Sequence, residues 1–268
     1  MMKEKTVTWK EFLKEANLIE EESKKSPKSI SLPTPLPGEI RINEDCNSPF
    51  FRGVSKASYD LETSLDRVKR NMTLSKYYKI FGQAFAQLSP KQQRYYSFAT
   101  KNGTTQNAYE NYQRFNSFLR HFGLPSSLLD WTADPYIALF FAFSDIYSKD
   151  NKAIYAFRAD LKMQPQYDYL FKEYDVTFFK PPQDPFNRRA LKQKSFFSTC
   201  LSKDKNNLFF GVHHEVLSKS DDLLIKYIIS NIEKEEILRE LSSKKITFCS
   251  LYGKSKENKL KDYALKQF

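Results

Sequence analysis

The sequence predicts an α+β fold, and three observations carry that prediction. Apolar residues recur at helical spacing through the first half of the chain, alternate as in strands through the second, and show no internal repeat across 268 residues. With 40% hydrophobic and 28% charged residues, the composition is that of a globular chain able to bury a sizeable core.

The elements follow in order. Thr8 with Glu11 three residues on is a capping-box pattern, and Trp9, Phe12, Leu13 and Ala16 repeat at helical spacing, so a first helix is expected to about Lys25. Residues 26–38, SPKSISLPTPLPG, are a proline-rich connector. This divides the chain into an N-terminal helix and connector, 1–40, and a main domain, 41–268, with a helical insertion at about 60–121. A strand is expected at Pro49–Val54, then helices at about 60–70, 73–88, 91–101 and 106–121. Residues 153–159 alternate like a strand, the proline-bearing stretch 160–187 reads as irregular, and 195–201 and 223–229 read as strands. Residues 231–243 form a helix capped by Asn231, with Ile232, Ile237, Leu238 and Leu241 as its apolar stripe. A strand at 246–252 and a helix at 256–267 end the chain.

The net charge is +11 and the isoelectric point about 9.3, a balance that favours polyanionic partners. From Arg67 to Tyr109 there are eight Lys or Arg and no acid, interleaved with aromatic residues. Basic groups neutralise phosphates and aromatic faces stack on unpaired bases. Tyr77, Phe81 and Phe85 are four apart and read as one core-facing helix stripe. Tyr95 and Tyr96, with Arg94 and Lys91, are then the candidates for a nucleic-acid surface. Residues 244–268 form a second basic stretch. No apolar run is long enough to span a bilayer, and the first residues lack a signal-peptide pattern. Three dispersed cysteines suit a reducing compartment, so a cytoplasmic protein without membrane contact is expected.

Several chemistries lack their motifs. The usual zinc spacings are absent, and adjacent His213 and His214, read as strand residues, would point to opposite faces, so no metal is expected. There is no G-x-S-x-G elbow, and with seven glycines there is no glycine-rich phosphate loop. What stands out is Arg52 in the strand-like FFRGV, where a buried charge needs a partner. The residues leave two readings open: a structural ion pair, or a cleft-facing Arg that binds a ligand, with Gly53 leaving room for close approach.

Phe51-Arg52-Gly53, then His121-Phe122-Gly123-Leu124-Pro125, Leu128-Leu129-Asp130-Trp131-Thr132 and the helix Asp134 to Ala142, together resemble the bacterial FRG domain over about 45–255. Two departures stand out. The motif similar to R-x-x-x-Q-x-G-x-F has Ser195 in place of Gly, and the ending similar to L-F-P-D-L-D-G is here Leu251-Tyr252-Gly253-Lys254-Ser255, without its acids.

The resemblance implies an ADP-ribosyltransferase-like split β-sheet core and NAD as substrate. It implies catalytic roles for Arg52, Asp130 and Gln193, the last standing where a late-strand Glu is usual. Arg52, Gly53, Arg67, His121, Trp131 and Thr132 would bind NAD. A toxin acting on nucleic acid, RNA before DNA, with a neutralising antitoxin protein is the expected setting. A protein target and a non-catalytic binding module are the other readings.

Overall fold

The computed structural model describes residues 2–25, 40–42, 49–97, 113–120, 123–145, 147–158, 174–181, 184–186, 188–204, 207–218 and 224–265. Nine strands form one mixed sheet: β1 (Lys3–Thr6), β2 (Ile40–Ile42), β3 (Phe50–Val54), β4 (Leu128–Thr132), β5 (Lys152–Phe157), β6 (Tyr174–Phe179), β7 (Ser195–Asp204), β8 (Asn207–Phe210) and β9 (Leu224–Ile229). Their order is β1-β9-β5-β3-β4-β7-β6-β2, with β8 also beside β7. The outer pairs β1–β9 and β2–β6 are parallel and the others antiparallel. The α+β expectation holds.

One face of the sheet is covered by α1 (Trp9–Lys25), α6 (Pro135–Phe143), α9 (Lys234–Ser243) and α10 (Phe248–Tyr252), whose apolar residues share a core with Phe51, Ile154 and Tyr227. Helix α1 starts as its sequence demands, with Glu11 accepting from the Thr8 backbone at 2.8 Å and hydroxyl at 2.9 Å. It is no appendage: Phe12 packs edge-on against Phe51 and Tyr227, and β1 extends the sheet beside β9. The opposite face buries Phe50, Leu129, Trp131, Tyr155, Phe178 and Phe196, with Leu217 from α8 (His213–Leu217). A third cluster joins α2 (Ser64–Val68), α3 (Leu74–Ala86), α4 (Pro90–Tyr95), a helix over 113–120 (α5) and Phe210.

Four expectations are corrected. Residues 248–252 are helical, not a strand, because Thr247 and Ser250 form a capping box and Phe248, Leu251 and Tyr252 recur at helical spacing until Gly253 turns at φ +97. The stretch read as irregular contains β6, paired along its length with β7. Asn231 does not cap the late helix: it lies in a 3-10 turn, Asn231–Glu233, capped by Ser230 accepting from the Ile232 amide and leading into α9, and Ile232 is exposed. His213 and His214 lie on α8 rather than on a strand. Two short helices complete the order, α7 (Arg189–Lys192) and α11 (Lys256–Leu265).

Candidate functional site

The sheet has a seam between β3 and β4. Phe51 opposite Thr132 is their single register pair among the described residues, whereas β3 pairs with β5 at all five of its positions and β4 with β7 at all five. Beyond that pair the strands part, and Arg52 crosses the gap: its Nη1 donates to the Asp130 carbonyl at 2.9 Å. The side chain thus occupies a backbone acceptor that a continuous ladder would satisfy from β3. The Arg52 Nε is buried without a hydrogen-bond partner. Burial pulls the guanidinium down to about 10, opposed by the Asp130 charge and reinforced by Arg120 and Arg67. It therefore stays cationic at neutral pH.

Asp130 is held from its other end. Both carboxylate oxygens accept from Arg120, at the end of α5, in a bidentate pair, and the Arg120 Nη1 also reaches the Ser64 hydroxyl at 3.4 Å. Burial lowers the Arg120 guanidinium, but the charge and hydrogen bonds of Asp130 outweigh it and the net shift is upward. The Asp130 side chain keeps 37% of its surface exposed while Arg120 keeps 15%, so a fixed carboxylate faces the opening. Capping of α6 falls to Asp134, whose Oδ1 accepts from the Tyr136 amide at 2.9 Å, which leaves Asp130 out of that role.

On the α6 side, Tyr252 of α10 lies within electrostatic reach of Asp130, Arg120 and Arg189, and the Arg189 guanidinium sits 5.6 Å from its ring centre. Arg120 lies outside the quoted motifs, whereas Arg189 opens the motif at 189–197 and Tyr252 lies in the ending at 251–255, neither with an assigned role. Arg120 directly precedes His121, and its one signal was that place beside the quoted motif.

The other sequence-named residues divide. Arg67 is exposed on α2, close enough to lower Arg52, and does not pair with Asp66, whose carboxylate is taken by the Thr63 amide and hydroxyl in a capping box. His121 lies outside the described residues. Trp131 is core: it is 2% exposed and donates to the Ser198 hydroxyl at 2.8 Å. The Thr132 hydroxyl donates to the Gln193 carbonyl at 2.8 Å and accepts from the Asp134 amide at 3.2 Å, tying two turns together. Gln193 is not on a strand but in the turn before β7, where Lys194 takes φ +46. Gly53 does not open a ligand face: a Cβ there would lie 1.9 Å from the Ala138 carbonyl oxygen of α6.

The nucleic-acid aromatics are also corrected. Tyr96 is fully buried, with its hydroxyl on Asp184 at 2.7 Å, and Tyr95 packs edge-on against it and Phe186. The ends of α4 and α5 needed aromatic filling, so these rings face the core. Lys91 and Arg94 are exposed on α4.

Behind the seam, on the α8 side, His213 is fully buried and neither ring nitrogen completes a hydrogen bond. Burial, then the Arg52 charge, pushes it down to about 3, against a small opposing effect of the Ser198 backbone. Its unfolded value is near 6.5, so between about 6.5 and 3 the unfolded chain binds a proton that the folded chain refuses. Stability should therefore fall as pH drops through that window, by at most about 1.4 kcal/mol per pH unit from this group. Thermal melts from pH 7 to 4 should show a steeper loss for wild type than for His213→Phe; parallel curves would refute the assignment.

Among the described residues no group of three or more His, Cys, Asp or Glu is placed to hold a metal ion, and no helix is long and apolar enough to cross a membrane. Comparisons with curated proteins and with solved structures found no match. The family comparison found one: residues 47–151, which hold Arg52, Arg120, Asp130 and the helix α6 that packs on Gly53, match the model of the FRG domain.

Proposed function

We propose that the seam binds NAD and transfers its ADP-ribosyl group to nucleic acid, with RNA preferred over DNA. The observation that carries this reading is Arg52: a half-buried cation whose Nε has no hydrogen-bond partner among the described residues, beside a carboxylate fixed by a second arginine, where the sheet parts. The donor set suits the pyrophosphate of a dinucleotide, since Arg67 and Arg120 lie within electrostatic reach of Arg52, and Arg120 and Arg189 within reach of Tyr252. NAD would supply a sugar–nicotinamide bond whose cleavage places positive charge on the anomeric carbon. Asp130 is the carboxylate available to offset that charge, and Arg120 fixes its orientation in advance, which is the electrostatic preorganisation that lowers such barriers. Arg52 holds the Asp130 backbone and offers its Nε–H to a ligand. Thr132 keeps the strand-to-helix turn in place through its two hydrogen bonds.

For the target, the surface offers charge rather than stacking. Lys76, Lys79, Lys91 and Arg94 are exposed on α3 and α4, which carry no acid. A protein target is the second reading, favoured by Val68, Tyr78 and Ile80, which are exposed on α2 and α3 beside those cations. An enzyme of this kind acting on cellular RNA would arrest growth, and a neutralising protein partner is part of the proposal.

The test is incubation of the protein with NAD labelled in its adenylate half, together with total RNA, single-stranded DNA and lysate protein. Label on RNA and release of nicotinamide are expected. Label confined to protein would replace the target. Neither label nor nicotinamide release would overturn the transferase and favour a binding module.

A further inference from the structure

The α7–α10 wall of the seam has a composition that packing alone does not require. Tyr252 ends α10 with its ring against Phe141 at 6.5 Å and Phe248 at 5.8 Å, on the edge of the α6 core. A phenylalanine would serve those contacts equally. The tyrosine adds a hydroxyl that makes no hydrogen bond within the described residues, yet its ionisation is coupled to Asp130, Arg189 and Arg120. Burial first, then the Asp130 charge, raises the phenol, opposed by the two arginines, so it is a neutral donor at physiological pH. At this half-buried edge the hydroxyl is available to donate to a bound molecule.

Over the ring stands Arg189, exposed and stacked as a cation on an aromatic face. Lys192, one turn further along α7, is exposed with its Nζ near Gly253, 3.7 Å from where a Cβ would stand. The Tyr252 hydroxyl, the Arg189 guanidinium and the Lys192 ammonium thus share one wall, with Tyr252 within electrostatic reach of the Asp130–Arg120 pair. Such a wall suits a ligand whose reacting sugar lies at Asp130 and whose phosphates lie against these cations.

We propose that Tyr252 and Arg189 form the phosphate-side subsite of the seam: the Tyr252 hydroxyl contacts the bound dinucleotide, and Arg189, oriented by the Tyr252 ring, takes its phosphates. This rests on the reading of the seam as an NAD site. It assigns these residues to binding, so their loss raises KM and leaves kcat nearly intact.

Nicotinamide release would be measured for wild type, Tyr252→Phe and Arg189→Gln, with NAD and with nicotinamide riboside, which has no phosphate. Arg189→Gln is expected to raise KM for NAD about tenfold, to leave kcat within about twofold and to leave the riboside unchanged. Its KM should also depend less on salt, because a phosphate contact has been removed. Tyr252→Phe, which keeps the ring and hence the fold, is expected to raise KM for NAD about three- to tenfold, the worth of one hydrogen bond. Wild-type KM in both variants, with an active wild type, overturns the subsite and leaves the transferase standing. Equal losses on NAD and riboside mean a structural role and overturn it as well. An inert wild type overturns the NAD reading itself, and the subsite with it.

Discussion

Replacing Gly53 by alanine is expected to abolish the cooperative fold. The added Cβ would stand 1.9 Å from the Ala138 carbonyl oxygen, 2.8 Å from the Ala142 amide nitrogen and 2.9 Å from the Ala138 carbonyl carbon. All three are backbone atoms of α6, so no side-chain rotation relieves the clash. The helix would have to move as a body by more than an ångström. Its residues Ile137, Leu139, Phe140 and Phe143 are each at most 3% exposed, and each contributes about 1.5–3 kcal/mol by burial, so even partial displacement exceeds the cost of ordinary overpacking. Against a total stability of about 5–15 kcal/mol the loss is decisive. Far-UV circular dichroism and a thermal melt check it; a midpoint within a few degrees of wild type would refute the close approach of α6 to β3. Gly82 is the control. It lies in α3 with nothing within 4 Å of a Cβ, so Gly82→Ala is expected to stabilise by about 0.5–1 kcal/mol.

That contrast shows how far the chain could be read in advance. The pattern residues at 134–142 announced the helix, and Asp134-Pro135 marked its start because capping chemistry is local, whereas the strand at Leu128–Thr132 was not among the expected elements. Gly53 was legible as a position needing space, but not what fills it, since the partner is a helix some 85 residues downstream and no local pattern encodes that approach. Tyr95 and Tyr96 failed for the same reason: adjacent aromatics on a short helix look exposed until Phe115, Phe118 and Phe186 close over them. Residues 246–252 were read as a strand because apolar and polar residues roughly alternate there, and the Thr247 cap decides otherwise. At the site, Arg52 and Asp130 were found by motif. Arg120 was not, and Arg189 and Tyr252 stood in motifs without a role, because the three come from α5, α7 and α10, and only the fold places such distant segments beside one seam.

Arg52→Ala is expected to separate activity from stability. Among the described residues Arg52 forms no salt bridge within hydrogen-bonding range: the Asp130 carboxylate accepts from Arg120, and the Asp130 backbone carbonyl accepts from Arg52. The folded chain therefore bears the cost of burying a cation whose Nε is unsatisfied, in return for one charge-assisted hydrogen bond worth about 1.5–3 kcal/mol. These nearly offset each other, and removing a buried, poorly paired charge is often neutral or stabilising. The melting midpoint of Arg52→Ala should therefore stay close to wild type, while nicotinamide release from NAD falls by about 10²–10³-fold, the loss typical of one preorganised donor. Arg52→Lys should behave almost as badly, because an ammonium cannot bridge to the Asp130 carbonyl and present a second N–H in the fixed geometry of the guanidinium fork. Arg120→Ala should do the reverse in stability. It removes the bidentate pair that fixes the half-buried Asp130 carboxylate, so both the fold and the reaction should suffer. Melts and steady-state rates on the three variants decide the matter: a loss of several kcal/mol in Arg52→Ala would make Arg52 a structural tie across the seam, and retained turnover would remove it from the reaction.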